Sequence, residues 1–192
     1  MEDRKLHFFI FIFFVLMFKT EAQINSTKND LTISTKVNEF DIEKLIIGDI
    51  NNDKIIDTAF VKGPRFINED DGWGDCKNGN CEITISFSCD YPNISIGNAV
   101  SGFVENIGDI DNDGISEIII VPSWFIGCWG QIHFYTMKSG KWKDVGRAKR
   151  NICREESFMN CIKKMKGKKV QVIEEIWVDG DVVEKPKTIL IK

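Results

Sequence analysis

The stretch "NIGDIDNDGISEIIIVP", residues 106–122, sets four acids within nine positions directly against a run of isoleucines. Asp109, Asp111, Asp113 and Glu117 would repel one another unless positive charge lies among them. Asp, Asn and Gly are turn residues, and the apolar run after them reads as a buried strand. Shifted by 60 residues, "IIGDINNDKIIDTAFV" (46–61) falls on "NIGDIDNDGISEIIIV" (106–121) without a gap. Gly48 meets Gly108, Asp49 meets Asp109, Asn51 meets Asp111, Asp53 meets Asp113, and Asp57 meets Glu117. Two copies in register, each closing on a ninth-position acid and each leading into a strand, form a repeat. A further shift of 60 rebuilds no third copy, and neither does the turn at Asp179–Asp181.

Oxygen ligands at alternate positions of a tight loop suit a hard cation. In the EF-hand calcium loop, side chains at positions 1, 3 and 5 and a carbonyl at 7 converge on the ion, and glycine at 6 permits the turn. The second loop offers Asp109, Asp111, Asp113, the carbonyl of Ile115 and Glu117, with Gly114 at position 6. Its last acid stands at position 9, not 12, and a strand follows it, so the loop is not an EF-hand. Calcium takes about 6–8 oxygens, whereas magnesium demands a stiffer octahedron and keeps several waters. Calcium is therefore the expected occupant at 109–117. The first loop offers Asp49, Asn51, Asp53, the carbonyl of Ile55 and Asp57. It has one carboxylate fewer, and Lys54 stands where glycine would turn more easily. A second ion at 49–57 is expected to bind more weakly or not at all.

Most other segments read as short strands. "CEITISFSC" (81–89) alternates strictly, with Ile83, Ile85 and Phe87 on one face. "QIHFYTMKSGKWKDV" (131–145) reads as a hairpin turning at Ser139–Gly140, and residues 168–192 as another turning at Asp179–Gly180. In "EESFMNCIKKM" (155–165), Phe158, Cys161, Ile162 and Met165 share a helical face. The expected class is mainly β with at most one short helix.

The N-terminus reads as a targeting signal. Arg4 and Lys5 precede the apolar run 6–18, and Ala22 offers a small residue for cleavage. That run has 13 residues, short of the roughly 20 a spanning helix needs. The expectation is a signal peptide over 1–22, one β-rich domain over 23–192, a secreted or periplasmic location, and no membrane span after cleavage. All six cysteines (76, 81, 89, 128, 153 and 161) follow the signal, and an even count in an exported chain favours disulfides. Cys76 and Cys81 bracket the turn "KNGN" and suit local pairing. With no C-x-x-C pair and His133 the sole histidine beyond the signal, zinc is disfavoured.

The chain carries a net charge of −4, but residues 141–169 hold eleven Lys and Arg against three acids. An acidic chain with one basic tract is not the footprint of a nucleic-acid binder. The tract reads as a solvated face or as a surface that meets an acidic polymer. Trp73, Trp124, Phe125, Trp129 and Trp142 gather near the loops and strand ends, where they serve packing or stack on a ligand. No nucleophile elbow or phosphate-binding glycine loop is present.

"GDIDNDGISEIIIVP" resembles the calcium-bearing loop of FG-GAP repeats, found in integrin α-subunit propellers and in secreted bacterial proteins. The resemblance covers about residues 40–66 and 100–125. It implies an acidic loop between the first two strands of each propeller blade, with the ten loop positions named above as structural calcium ligands. The family's Phe-Gly pair appears reversed as Gly102–Phe103, and Gly-Ala-Pro is only hinted at by residues 62–64 and 121–122. Propellers have about four to eight blades, so two repeats imply a partial, propeller-like arrangement of antiparallel hairpins. The expected function is that of a secreted calcium-binding module with a binding or structural role toward a protein or glycan partner, without catalysis. The alternatives are a carbohydrate-active hydrolase using a carboxylate pair, or an accessory or inhibitor protein docking on another exported protein.

Overall fold

Repetition at about the same interval governs the backbone as well as the sequence. A computed structural model describes residues 42–64, 76, 81–124, 127–153 and 157–192. All of these lie in the unit Lys36–Lys192. Residues 1–22, expected to be a signal peptide, and Trp73 and Phe125 lie outside the described residues. Strands β1 (Ile42–Gly48), β2 (Asp57–Lys62), β3 (Glu82–Phe87) and β4 (Ile94–Gly97) form one antiparallel sheet in that order. Strands β5 (Ser101–Gly108), β6 (Glu117–Ser123), β7 (Trp129–Lys138) and β8 (Lys141–Asn151) form a second sheet in the same manner. A third sheet holds β9 (Ile162–Met165), β10 (Lys169–Val178) and β11 (Asp181–Leu190). The first strands begin at residues 42, 101 and 162, intervals of 59 and 61.

The protein is therefore mainly β, with three antiparallel sheets, and among the described residues they close into neither a barrel nor a propeller. In the first two sheets an acidic loop joins the first strand to the second. In the third, the same connection is the short basic turn Lys166–Gly167–Lys168.

The middle sheet is buried on both faces. Ile118 and Ile120 join Val61, Ile83, Ile85 and Val104 in a core shared with the first sheet. Ile119 and Val121 join Phe134, Val170, Val172 and Ile189 in a core shared with the third. This two-sided burial explains why the run after the acidic loop is continuously apolar, without alternation. Ile118, Ile119 and Ile120 are each fully buried, and burial of each such side chain stabilises by about 1.5–3 kcal/mol.

Turn chemistry agrees with the hairpins. Ser139 and Gly140 have φ of 50° and 72°, and Asp179 and Gly180 have 53° and 92°. These are the left-handed pairs that match strand twist. The helical reading of 155–165 needs correction. Among the described residues of this segment only Phe158–Cys161 turns, as a 3-10 helix capped by the Ser157 side chain, and Ile162 then leaves to pair with Val172. Strand pairing with β10 overrides the apolar spacing. Trp142 is a packing residue, its ring 5.4 Å from Phe87 and 5.6 Å from Tyr91.

Cys76 pairs with Cys81, and Cys128 with Cys153. Cys89 and Cys161 remain thiols. Two disulfides suggest an oxidising, extracellular environment. Among the described residues no helix is long and apolar enough to cross a membrane.

Candidate metal centre

Each acidic loop is built on the same backbone plan. A bulge precedes it, between Ile46 and Gly48 in one copy and between Asn106 and Gly108 in the other. Gly48 and Gly108 have φ of 74° and 79°, and Asn52 and Asn112 have 59° and 60°. Lys54 takes the left-handed conformation of Gly114, at 72° against 90°. Lysine there preserves the bend, at the steric cost an L residue meets in that region.

The second residue of each loop is an anchor. Ile50 is fully buried in the core between the first and second sheets, and Ile110 is buried in the core between the second and third. Their backbone N–H groups point back at the ninth-position acid. Ile50 N donates to Asp57 Oδ2 at 3.0 Å, and Ile110 N donates to Glu117 Oε2 at 2.6 Å. A hydroxyl donates to the other oxygen of each: Ser88 to Asp57 Oδ1 at 3.0 Å, and Thr136 to Glu117 Oε1 at 2.8 Å. The two loops also meet, because Ser116 N donates to the carbonyl of Ile50 at 2.8 Å.

Inside the second loop, the Asp109 carboxylate accepts from Asp113 N at 3.2 Å and from Gly114 N at 3.0 Å. Asp113 Oδ1 accepts from Ile115 N at 3.0 Å. One oxygen from each of Asp109, Asp111 and Glu117 lies within 4.8 Å of the others. Asp113 is not among the converging acids, and lies 3.7 Å from the Lys138 ammonium. Asp111 is 2 % exposed, and its Oδ1 is buried without a hydrogen-bond partner. A buried carboxylate oxygen left bare is costly. Three carboxylates with convergent oxygens, one of them also keeping a buried oxygen without a partner, fit a divalent cation such as calcium. The hydrogen bonds already made at Asp109 and Glu117 do not exclude this, since each carboxylate oxygen can accept more than once.

Sequence reasoning missed the cation that the protein itself supplies. Lys138, at the end of β7, places Nζ 2.6 Å from Asp111 Oδ2 and 3.7 Å from Asp113 Oδ2. Lys164 of β9 donates to the carbonyl of Asp109. Part of the basic tract thus faces the acidic loop. Burial works against ionisation of Asp111, but the hydrogen bond and charge of Lys138, with Lys168 farther off, outweigh it and hold the carboxyl below its ordinary value. Glu117 moves the other way: burial pushes its carboxyl up, and the N–H of Ile110 and the hydroxyl of Thr136 offset this only in part.

In the first loop the side chains of Asp49, Asn51 and Asp53 bond within the loop. Asn51 Nδ2 donates to Asp53 Oδ2 at 2.9 Å, and Asp53 Oδ1 accepts from Ile55 N at 2.7 Å. Asp49 accepts from Asp53 N and Lys54 N. Among the described residues, Asp49, Asp53 and Asp57 form no convergent group like that of the second loop. An amide replaces the carboxylate of Asp111, so less negative charge is held here. Thr136 could have been noticed in the sequence as a polar residue interrupting the apolar strand "IHFYTMK". Lys138 carried no comparable signal.

A scan of family models matches none of them, and no curated protein or solved structure matches the chain.

Proposed function

We propose that this protein is an exported, calcium-binding β module of the FG-GAP type, in which an ion bound by the second loop fixes two adjoining sheets for a binding or structural role. Asp109, Asp111, Asp113 and Glu117, with the carbonyl of Ile115, would hold the ion. What carries the reading is the convergence of three acids, one of which, Asp111, keeps a buried oxygen without a partner. Further support comes from the position of both acidic loops between the first and second strands of successive four-stranded sheets. Export is supported by the apolar leader and the two disulfides.

Bound calcium would neutralise a crowded bend whose anchor, Ile110, reaches into the second core. Metal uptake and folding are therefore linked, and the ion stabilises in proportion to its occupancy. The first loop is the weaker site. Calcium titration of the full chain by calorimetry tests the reading: one dominant site is expected, with a rise in melting temperature that Asp111→Asn abolishes. Absence of calcium heat together with a melting curve indifferent to chelator would overturn it.

A further inference from the structure

A cleft of about 710 Å³ opens on the β7–β8 hairpin, well within the size range of small-ligand sites. None of its lining residues belongs to either acidic loop. Trp129, Gln131 and His133 alternate along β7, and Lys149 and Arg147 stand opposite Gln131 and His133 on β8. One face of the hairpin thus carries an aromatic, polar and cationic ladder. Trp177 of β10 closes one side, its ring 5.4 Å from Trp129 and tilted by 57°. The two indoles remain 38 % and 58 % exposed, although large aromatics are ordinarily buried. The end of β4, with Asn98, forms the opposite wall.

The charge in the cleft is positive. Among the described residues, Lys149 has no carboxylate within ion-pair distance, and Arg147 ties its Nε to Asp144 at 2.8 Å while staying 55 % exposed. Glu175 is the acid that lines the cleft, but it is buried and turned to its own structure. Its Oε2 accepts from Asn151 N at 2.8 Å, and Oε1 lies 3.8 Å from Arg150. Exposed indole faces receive the C–H face of a sugar ring, amides exchange hydrogen bonds with its hydroxyls, and unpaired cations hold a carboxylate. A positive cleft on an otherwise acidic chain selects for negative charge. Glycosidic cleavage needs two acids flanking the bond, and the single lining acid here is already committed.

We propose that this cleft binds an acidic saccharide, a pyranose stacked on Trp129 and Trp177 with its carboxylate held by Lys149 and Arg147. The test is calorimetric titration of the full chain with tetragalacturonate, its methyl ester and tetraglutamate, with and without calcium. Tetragalacturonate should bind, and the methyl ester, lacking the charge, should bind about tenfold more weakly or worse. Trp177→Ala and Lys149→Glu should each weaken binding by about tenfold or more with melting temperature retained, both being surface positions. Equal binding of the ester, a preference for tetraglutamate, or no uptake by the folded chain would overturn the proposal. Calcium-dependent melting in the same samples reports separately on the acidic loops, so the two readings fail independently.

Discussion

Replacing Lys138 with methionine separates the cation the protein supplies from the one it is proposed to bind. The side chain of Asp111 is 0 % exposed and that of Lys138 is 37 % exposed. Breaking a fully buried pair costs about 3–5 kcal/mol, whereas an exposed pair contributes about 0–1 kcal/mol. With one partner in each environment and solvent screening the lysine end, the metal-free loss should be about 2 kcal/mol. In a domain of this size that lowers the melting temperature by roughly 4–8 °C. Saturating calcium should cancel the loss. If the ammonium must leave Asp111 for the ion to enter, its removal tightens calcium binding by up to about 30-fold, the same 2 kcal/mol expressed as affinity. The assay is a melting curve in chelator paired with a calcium titration on the same protein. Unchanged melting in chelator, or weaker calcium binding by Lys138→Met, would refute the competition.

Three other outcomes are expected. Lys54→Gly should raise the unfolding free energy from urea titration by about 0.5–1 kcal/mol, because φ of 72° strains a lysine and suits glycine; a lower midpoint would show that the lysine side chain matters more than the bend. Burial first, and the charge of Asp57 second, push the Cys89 thiol up to about 11 from 9.0, so alkylation near pH 8 should run about 100-fold slower in the folded chain than in denaturant; equal rates would contradict this. Burial, aided by the charge of Arg147, holds His133 below its ordinary value of 6.5. The folded state thus resists its protonation, so its contribution is present above pH 6.5 and is lost as pH falls through the folded value. Melting temperature should drop over that window, and His133→Gln should flatten the drop; an unchanged slope would place the titration elsewhere.

Local patterns carried much of the fold into the sequence. The alternation at 82–87, the Ser139–Gly140 and Asp179–Gly180 turns and the 60-residue repeat all act over short range, where side-chain period and φ preference decide. Cys76 and Cys81 pair locally, as their spacing suggests. The β10–β11 hairpin of the third sheet was legible, but its place in the repeat was not, because its first connection, Lys166–Lys168, keeps the interval and none of the acids. At the candidate site, the loop acids were visible as a spacing, but their partners were not. Thr136 and Lys138 lie two strands from the loop start, and Lys164 lies in another sheet; only the stacking of sheets brings them there. His133 stands opposite Arg147 on β8 and is buried, which its place in an apolar-polar strand did not reveal. Trp177 gave no warning, since its partner Trp129 belongs to a different sheet.

The most direct measurement is a crystal structure of the calcium-soaked chain, read by anomalous difference density. The account predicts a peak bounded by carboxylate oxygens of Asp109, Asp111 and Glu117, with Lys138 Nζ withdrawn from Asp111. A map without that peak, and with Lys138 still bonded to Asp111, would contradict it.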